Sequence, residues 1–153
     1  MKKDIAFFLL LLAGLSACGM TKDEPTNEVD QNASSVDFKA KETRTLSNLA
    51  KLEASVAAYI EAEKKIPPDL DSLIPRYLAD IPTVELGLSK HRDNNDVKVY
   101  PAAVLRDGAI DGSQLKDSGR WGYVHNDRQV VIFVDCTHRT SGGSPWYQAR
   151  GVF

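Results

Sequence analysis

Apolar and polar positions alternate along the chain in blocks of different period. Behind Lys2, Lys3 and Asp4, residues 5–12 form an unbroken apolar run. Residues 19–35 are dominated by Thr, Asp, Glu, Asn, Gln and Ser, with almost nothing apolar. From residue 37 to 64 the period becomes helical. Leu46, Leu49, Leu52, Val56, Tyr59 and Ile60 recur three and four apart, with Phe38 upstream. Lys41, Lys51, Glu53, Glu61 and Lys64 fall mostly on other faces, and Ala50, Ala54, Ala57 and Ala58 favour helix at low bulk. Ser34 or Asp37 is placed to cap the start. Pro67 and Pro68 end it, because proline donates no backbone hydrogen bond and restricts its predecessor. The pattern predicts one long helix whose apolar stripe requires a partner surface.

Beyond it the elements shorten. Residues 69–74 read as a short helix capped by Asp69 and stopped before Pro75. Residues 76–78 and 81–82 are extended or turning, and 89–96 form a polar loop. Val97, Val99 and Tyr100 suggest a short strand. Asp107-Gly108 and Asp111-Gly112 are turn signals that place residues 107–119 in a surface loop. The second strong element is a hairpin, with strands at 121–125 and 129–134 around an Asn126-Asp127 turn. A turn at 140–145 leads to Trp146 and Tyr147, read as a last edge strand. A helix laid on a small antiparallel sheet is the simplest way to bury the stripe, which gives an α+β fold.

The apolar run at 5–12 is too short to cross a bilayer, which takes roughly 20 residues. Its length and its Lys2-Lys3 flank suit a signal peptide. Leu15, Ser16, Ala17 and Cys18 follow and resemble the bacterial lipobox, in which the Cys thiol is acylated and becomes the first residue after cleavage. A plain secretory signal cut near Ala17, with Cys18 incidental, is the alternative. The resemblance implies a lipoprotein held in the cell envelope by palmitate-type chains on Cys18, enough lipid for stable anchoring. It implies a periplasm-facing domain, and Gly19, where inner-membrane lipoproteins of enteric bacteria carry Asp, favours the outer membrane. The chain then divides into residues 1–17 as signal peptide, 18–36 as lipidated Cys and flexible tether, and 37–153 as one globular domain.

Length and charge change this picture little. The 153 residues, 42% hydrophobic and 26% charged, suit one small domain and no second. The net charge is -2, and the basic residues are scattered. A nucleic-acid partner needs a basic stripe, so none is expected.

The order of parts over residues 46–146 resembles the periplasmic domain of type II secretion pseudopilins and other type IV pilin-like proteins. The resemblance rests on the amphipathic helix ending in a Pro-containing turn and on the Pro75-Arg76-Tyr77-Leu78-Ala79-Asp80-Ile81-Pro82 segment. It continues in the strand entry Gly119-Arg120-Trp121-Gly122-Tyr123, and in Cys136-Thr137-His138 followed by Gly143 and Trp146. It implies a pilin-like α+β fold and contacts with secretion or pilus proteins. Pilins also carry a type III leader, a Gly-Phe cleavage junction and a hydrophobic helix half with a glutamate near its start. This chain has none of them. The resemblance therefore implies a lipid-anchored accessory rather than a filament subunit.

Motifs that carry chemistry are sparse in the sequence. There is no G-x-S-x-G and no H-E-x-x-H, and His91, His125 and His138 are scattered, so no enzyme is expected. Asp135, Cys136 and His138 lie at a sheet end, and His125 could join them across the hairpin to hold Zn²⁺. The paired C-x-x-C spacing of structural zinc is missing. Strand alternation, with Phe133 facing out, turns Val134 and Cys136 inward, which makes Cys136 a small buried hydrophobe without a disulfide partner. Some pseudopilins bind Ca²⁺ in the C-terminal loop, where this chain offers Asp135, Ser141 and Ser144. The loop itself contains no acidic residue, so no cofactor is expected there. Trp121, Tyr123, Trp146 and Tyr147 read either as sheet packing or as an exposed aromatic surface for a partner protein, glycan or peptidoglycan.

Overall fold

The computed structural model describes residues 27–151, with side chains from residue 34. The segment expected to be a signal peptide, residues 1–17, and Cys18 lie outside the described residues. Helix α1 spans Asn27–Glu63. It therefore begins inside the stretch expected to be a flexible tether, whose described part, residues 27–36, is helical. The physical reason is cooperativity: once a helix is nucleated by packing further along, adding polar turns costs little. Among the described residues no helix is long and apolar enough to cross a membrane.

The buried stripe of α1 runs through Glu42, Thr45, Leu49, Leu52, Val56 and Tyr59, at spacings of three and four. Its lower members are apolar as expected. Its upper two are polar and buried because each has a partner. Thr45 Oγ1 donates to the Glu85 carbonyl (2.8 Å) and accepts from the Glu85 amide (2.8 Å). The Arg44–Glu85 and Lys41–Asp93 ion pairs extend this contact along the segment that returns beside the helix. The helix stops with Lys64 in the left-handed region (φ 55), ahead of Pro67 and Pro68.

The short helix after the prolines is a single 3₁₀ turn, Asp71–Leu73, which buries Leu73. Its N-cap position is Leu70 rather than the expected Asp69; Asp69, one residue earlier, still accepts from the Ser72 amide (2.9 Å) and hydroxyl (2.7 Å). Strands β1 (Val97–Tyr100), β4 (Trp121–His125) and β5 (Val130–Val134) form one sheet in the order β1-β4-β5. The β4–β5 hairpin closes as expected, with the Asn126 side chain accepting from the Arg128 and Gln129 amides. The expectation of an antiparallel sheet is corrected: β1 pairs with β4 in parallel, Val97 opposite Trp121. The crossover between them is not a bare loop. It holds a two-stranded ribbon, β2 (Leu105–Arg106) with β3 (Ala109–Ile110), and a 3₁₀ turn at Gly112–Gln114.

The ribbon decides the fate of the sheet's second face. One face packs on α1 through Trp121, Tyr123, Ile132 and Val134. The other buries Val124 and Phe133 with Tyr100 and Val104. Phe133 therefore does not face solvent, and its ring lies over Gly122, its register partner on β4. The expected last edge strand is instead a 3₁₀ turn, Trp146–Gln148. Pro145 before it and the Trp146 amide bond to the His138 carbonyl (3.0 Å) fold the chain back instead of along the sheet.

Candidate functional site

The sheet ends where β5 runs into Asp135, Cys136, Thr137 and His138. Asp135 continues the ladder through its backbone, exchanging hydrogen bonds with Arg120 and Gly119. Its carboxylate is fully buried and turns under the loop before β4. It accepts from the amides of Lys116 (3.2 Å), Asp117 (3.1 Å) and Ser118 (3.3 Å), and closely from the Ser118 hydroxyl. A buried carboxylate survives only when its lone pairs are met in this way. Burial and then the neighbouring Asp135 push the Tyr100 phenol well above its usual pKa.

This cradle shapes the loop so that Asp117 sits in the left-handed region (φ 53), unusual for a residue with a side chain. The Asp117 carboxylate is thereby aimed at the sheet end, where it accepts from the Thr137 amide (2.7 Å). Burial works against the ionised form. The hydrogen bonds from Thr137 and the two nearby imidazoles outweigh it and hold the Asp117 pKa below the usual carboxylate value.

His91 arrives from a third segment. That segment is fastened by the Val84–Asn94 bridge and by Asn94 Nδ2, which donates to the Gly119 carbonyl (3.1 Å). The His91 side chain lies close against Gly119, where an added Cβ would meet it at 2.8 Å. Gly119 also has φ 70, so both space and backbone favour glycine there.

The result is a cluster of His91, Asp117, Cys136 and His138 whose potential ligand atoms all lie within 4.8 Å of one another. His91 Nε2 is 3.4 Å from His138 Nδ1 and 3.7 Å from Asp117 Oδ1. His138 Nδ1 is 3.5 Å from Asp117 Oδ1 and 3.4 Å from Cys136 Sγ. Cys136 is fully buried, and burial pushes its thiol up to about 12. It is expected to resist iodoacetamide at neutral pH in the folded protein and to react fully once denaturant unfolds it. Mass spectrometry of the two samples checks this, and rapid labelling of folded protein would contradict the burial.

Of the residues singled out in the sequence, Cys136 and His138 come together as anticipated, but their companions differ. Asp135 is consumed by its four donors. His125 instead stands beside Tyr123, with ring centroids 5.7 Å apart. Asp117 and His91 take the two places, and no spacing rule could have named them. The oxygen donors considered for Ca²⁺ are also engaged or dispersed. The Ser141 amide and hydroxyl both donate to Glu42 (2.8 and 2.9 Å), a carboxylate supplied from α1.

The aromatic surface is corrected. Trp121, Tyr123 and Trp146 are fully buried, and Tyr147 is half-buried against Gly112. Trp121 Nε1 donates to the Pro82 carbonyl (2.6 Å) and the Tyr123 hydroxyl to the Pro67 carbonyl (2.5 Å). Trp146 Nε1 is buried without a partner among the described residues, and burial on this scale places all three rings in the core. A different concavity, about 320 Å³, lies between α1 and β5. Val56, Ala57, Ile60, Val130 and Ile132 line it together with Glu53 and Arg150.

Comparison with protein families, curated sequences and solved structures returns no match. Fold and site together define an α+β domain: one long helix on a small mixed sheet, with a Cys-His-His-Asp cluster where the sheet meets its loops.

Proposed function

We propose that the chain is a non-enzymatic, lipid-anchored envelope protein whose pilin-like domain makes protein–protein contacts, as an accessory to a type II secretion or type IV pilus system. The observation that carries this reading is the disposition of α1. Its stripe from Leu49 to Tyr59 is spent on the sheet, while Ser34, Val36 and Asp37 are exposed on a helix that starts close behind Cys18. A helix of this kind is a stem, and a lipid at its root replaces the hydrophobic half-helix of a pilin. The groove between α1 and β5 suits an apolar segment of a protein partner better than a polar metabolite, since most of its lining is aliphatic. The glycan alternative loses its platform with the burial of Trp121, Tyr123 and Trp146. Gly19 favours the outer membrane as the anchoring site.

Two measurements on the full chain in a bacterial host test the proposal. Metabolic labelling with an alkyne fatty acid is expected to mark the wild type and to vanish in Cys18→Ser, which should move from the membrane to the soluble fraction. A photo-crosslinker at Ala57 is expected to capture a secretion or pilus component. Labelling that survives Cys18→Ser removes the anchor, and crosslinks that contain no such component remove the partnership.

A further inference from the structure

The geometry points to a zinc site: we propose that His91 Nε2, Asp117 Oδ1, Cys136 Sγ and His138 Nδ1 bind one Zn²⁺ as a closed, structural centre. Four ligands around Zn²⁺, with bonds of about 2.0–2.3 Å, stand about 3.3–3.7 Å apart along the edges of a tetrahedron. Two imidazole nitrogens and the carboxylate oxygen already form a triangle with edges of 3.4, 3.5 and 3.7 Å. The sulfur stands 3.4 Å from one of its corners.

Asp117 is held in a left-handed backbone conformation, and strain of this kind persists where the surroundings impose it. Here the Asp135 cradle imposes it, and the Thr137 amide fixes the carboxylate as an outer-shell partner fixes a ligand. Gly119 clears the space that His91 occupies. The cluster is therefore fixed from behind on at least two of its members rather than being a chance meeting of mobile side chains.

One thiol, two imidazoles and one carboxylate form a donor set of intermediate softness. Ca²⁺ and Mg²⁺ seek six or more oxygens, which are not present here. Zn²⁺ accepts this mixture in tetrahedral geometry, and four protein ligands leave no open position for a substrate. On binding, the Cys136 S–H bond breaks, its proton leaves to solvent, and both electrons remain on sulfur to form the Zn–S bond. The metal would tie together three segments far apart in the chain: the loop at His91, the loop at Asp117, and the end of the sheet at Cys136 and His138. The role is a clip for a small domain, independent of whether the envelope reading holds.

The test uses the full chain in detergent, purified without chelator. Elemental analysis is expected to find one zinc per chain. Protein stripped of metal and loaded with Co²⁺ should show tetrahedral ligand-field bands in the visible and thiolate-to-cobalt charge transfer in the near ultraviolet. Cys136→Ser should abolish the charge transfer. Cys136→Ser and His91→Gln should each weaken Zn²⁺ binding, measured against a chromophoric chelator, at least tenfold, since losing even an outer-shell partner costs about 10–100-fold. His125→Gln should leave both readouts unchanged. Wild-type protein that is folded by circular dichroism yet takes up neither Zn²⁺ nor Co²⁺ overturns the proposal, whatever the variants do. A Co²⁺ spectrum without thiolate charge transfer, or copper retained in place of zinc with an intense visible thiolate band, overturns it as well.

Discussion

Trp121→Ala is expected to lower the unfolding free energy by about 3–5 kcal/mol, the range for removing a large buried aromatic. The indole sits on the central strand between β1 and β5, opposite Val97 and Val134, and is fully buried against the α1 side of the sheet. Truncation leaves a cavity in the core shared with Leu49 and Leu52 and strands the Pro82 carbonyl that Nε1 now satisfies. Against a typical total of about 5–15 kcal/mol, such a loss is a large fraction of the stability. Urea denaturation followed by far-UV circular dichroism measures it. Trp121→Phe, which keeps part of the volume but not the hydrogen bond, should fall between the two. A loss below about 1 kcal/mol for the alanine variant would return the indole to the surface as an interaction platform.

Asp135→Ala is expected to cost about 3 kcal/mol or more, although it removes no apolar contact. The carboxylate meets three backbone amides and one hydroxyl in a buried setting, and hydrogen bonds to a charged acceptor contribute about 1.5–3 kcal/mol each, non-additively. The effect should be local before it is global. Hydrogen exchange at the Lys116, Asp117 and Ser118 amides should accelerate by orders of magnitude in the variant while the β4–β5 hairpin stays protected. Asp135→Asn keeps one carbonyl acceptor but sets an amide group against donors, so it should be intermediate. Unchanged protection of these three amides would mean that the loop is held by something other than Asp135. Because this loop aims Asp117, the experiment also measures how firmly the cluster is pre-formed.

The parts of the fold legible in the sequence are those written in local period. Leu49, Leu52, Val56 and Tyr59 repeat at helical spacing, and residues 121–134 carry strand-forming side chains around an Asn-Asp turn, so α1 and the hairpin were foreseeable. The helix start was not, because polar residues 27–36 carry no apolar period. Glu42 and Thr45 complete the buried stripe yet look like solvent-facing positions. Their burial depends on Ser141 and Glu85, 99 and 40 residues away, which periodicity does not register. Strand alternation at 133–136 identified the inward face correctly for Val134 and Cys136. It misjudged Phe133 because a two-stranded ribbon, absent from any local pattern, covers the second face.

The same division holds at the site. By itself the sequence determined that a thiol and an imidazole, Cys136 and His138, lie two residues apart at the end of a buried strand. Only the tertiary structure decided what faces them. The parallel pairing of β1 with β4 and the Asp135 cradle bring the 117 loop beside the sheet end, and the segment fastened at Asn94 brings His91, 47 residues from His138. Local propensity sets elements because it acts between neighbours along the chain. A cluster drawn from three loops exists only after the chain has closed on itself, and its geometry belongs to the packing that holds those loops in place.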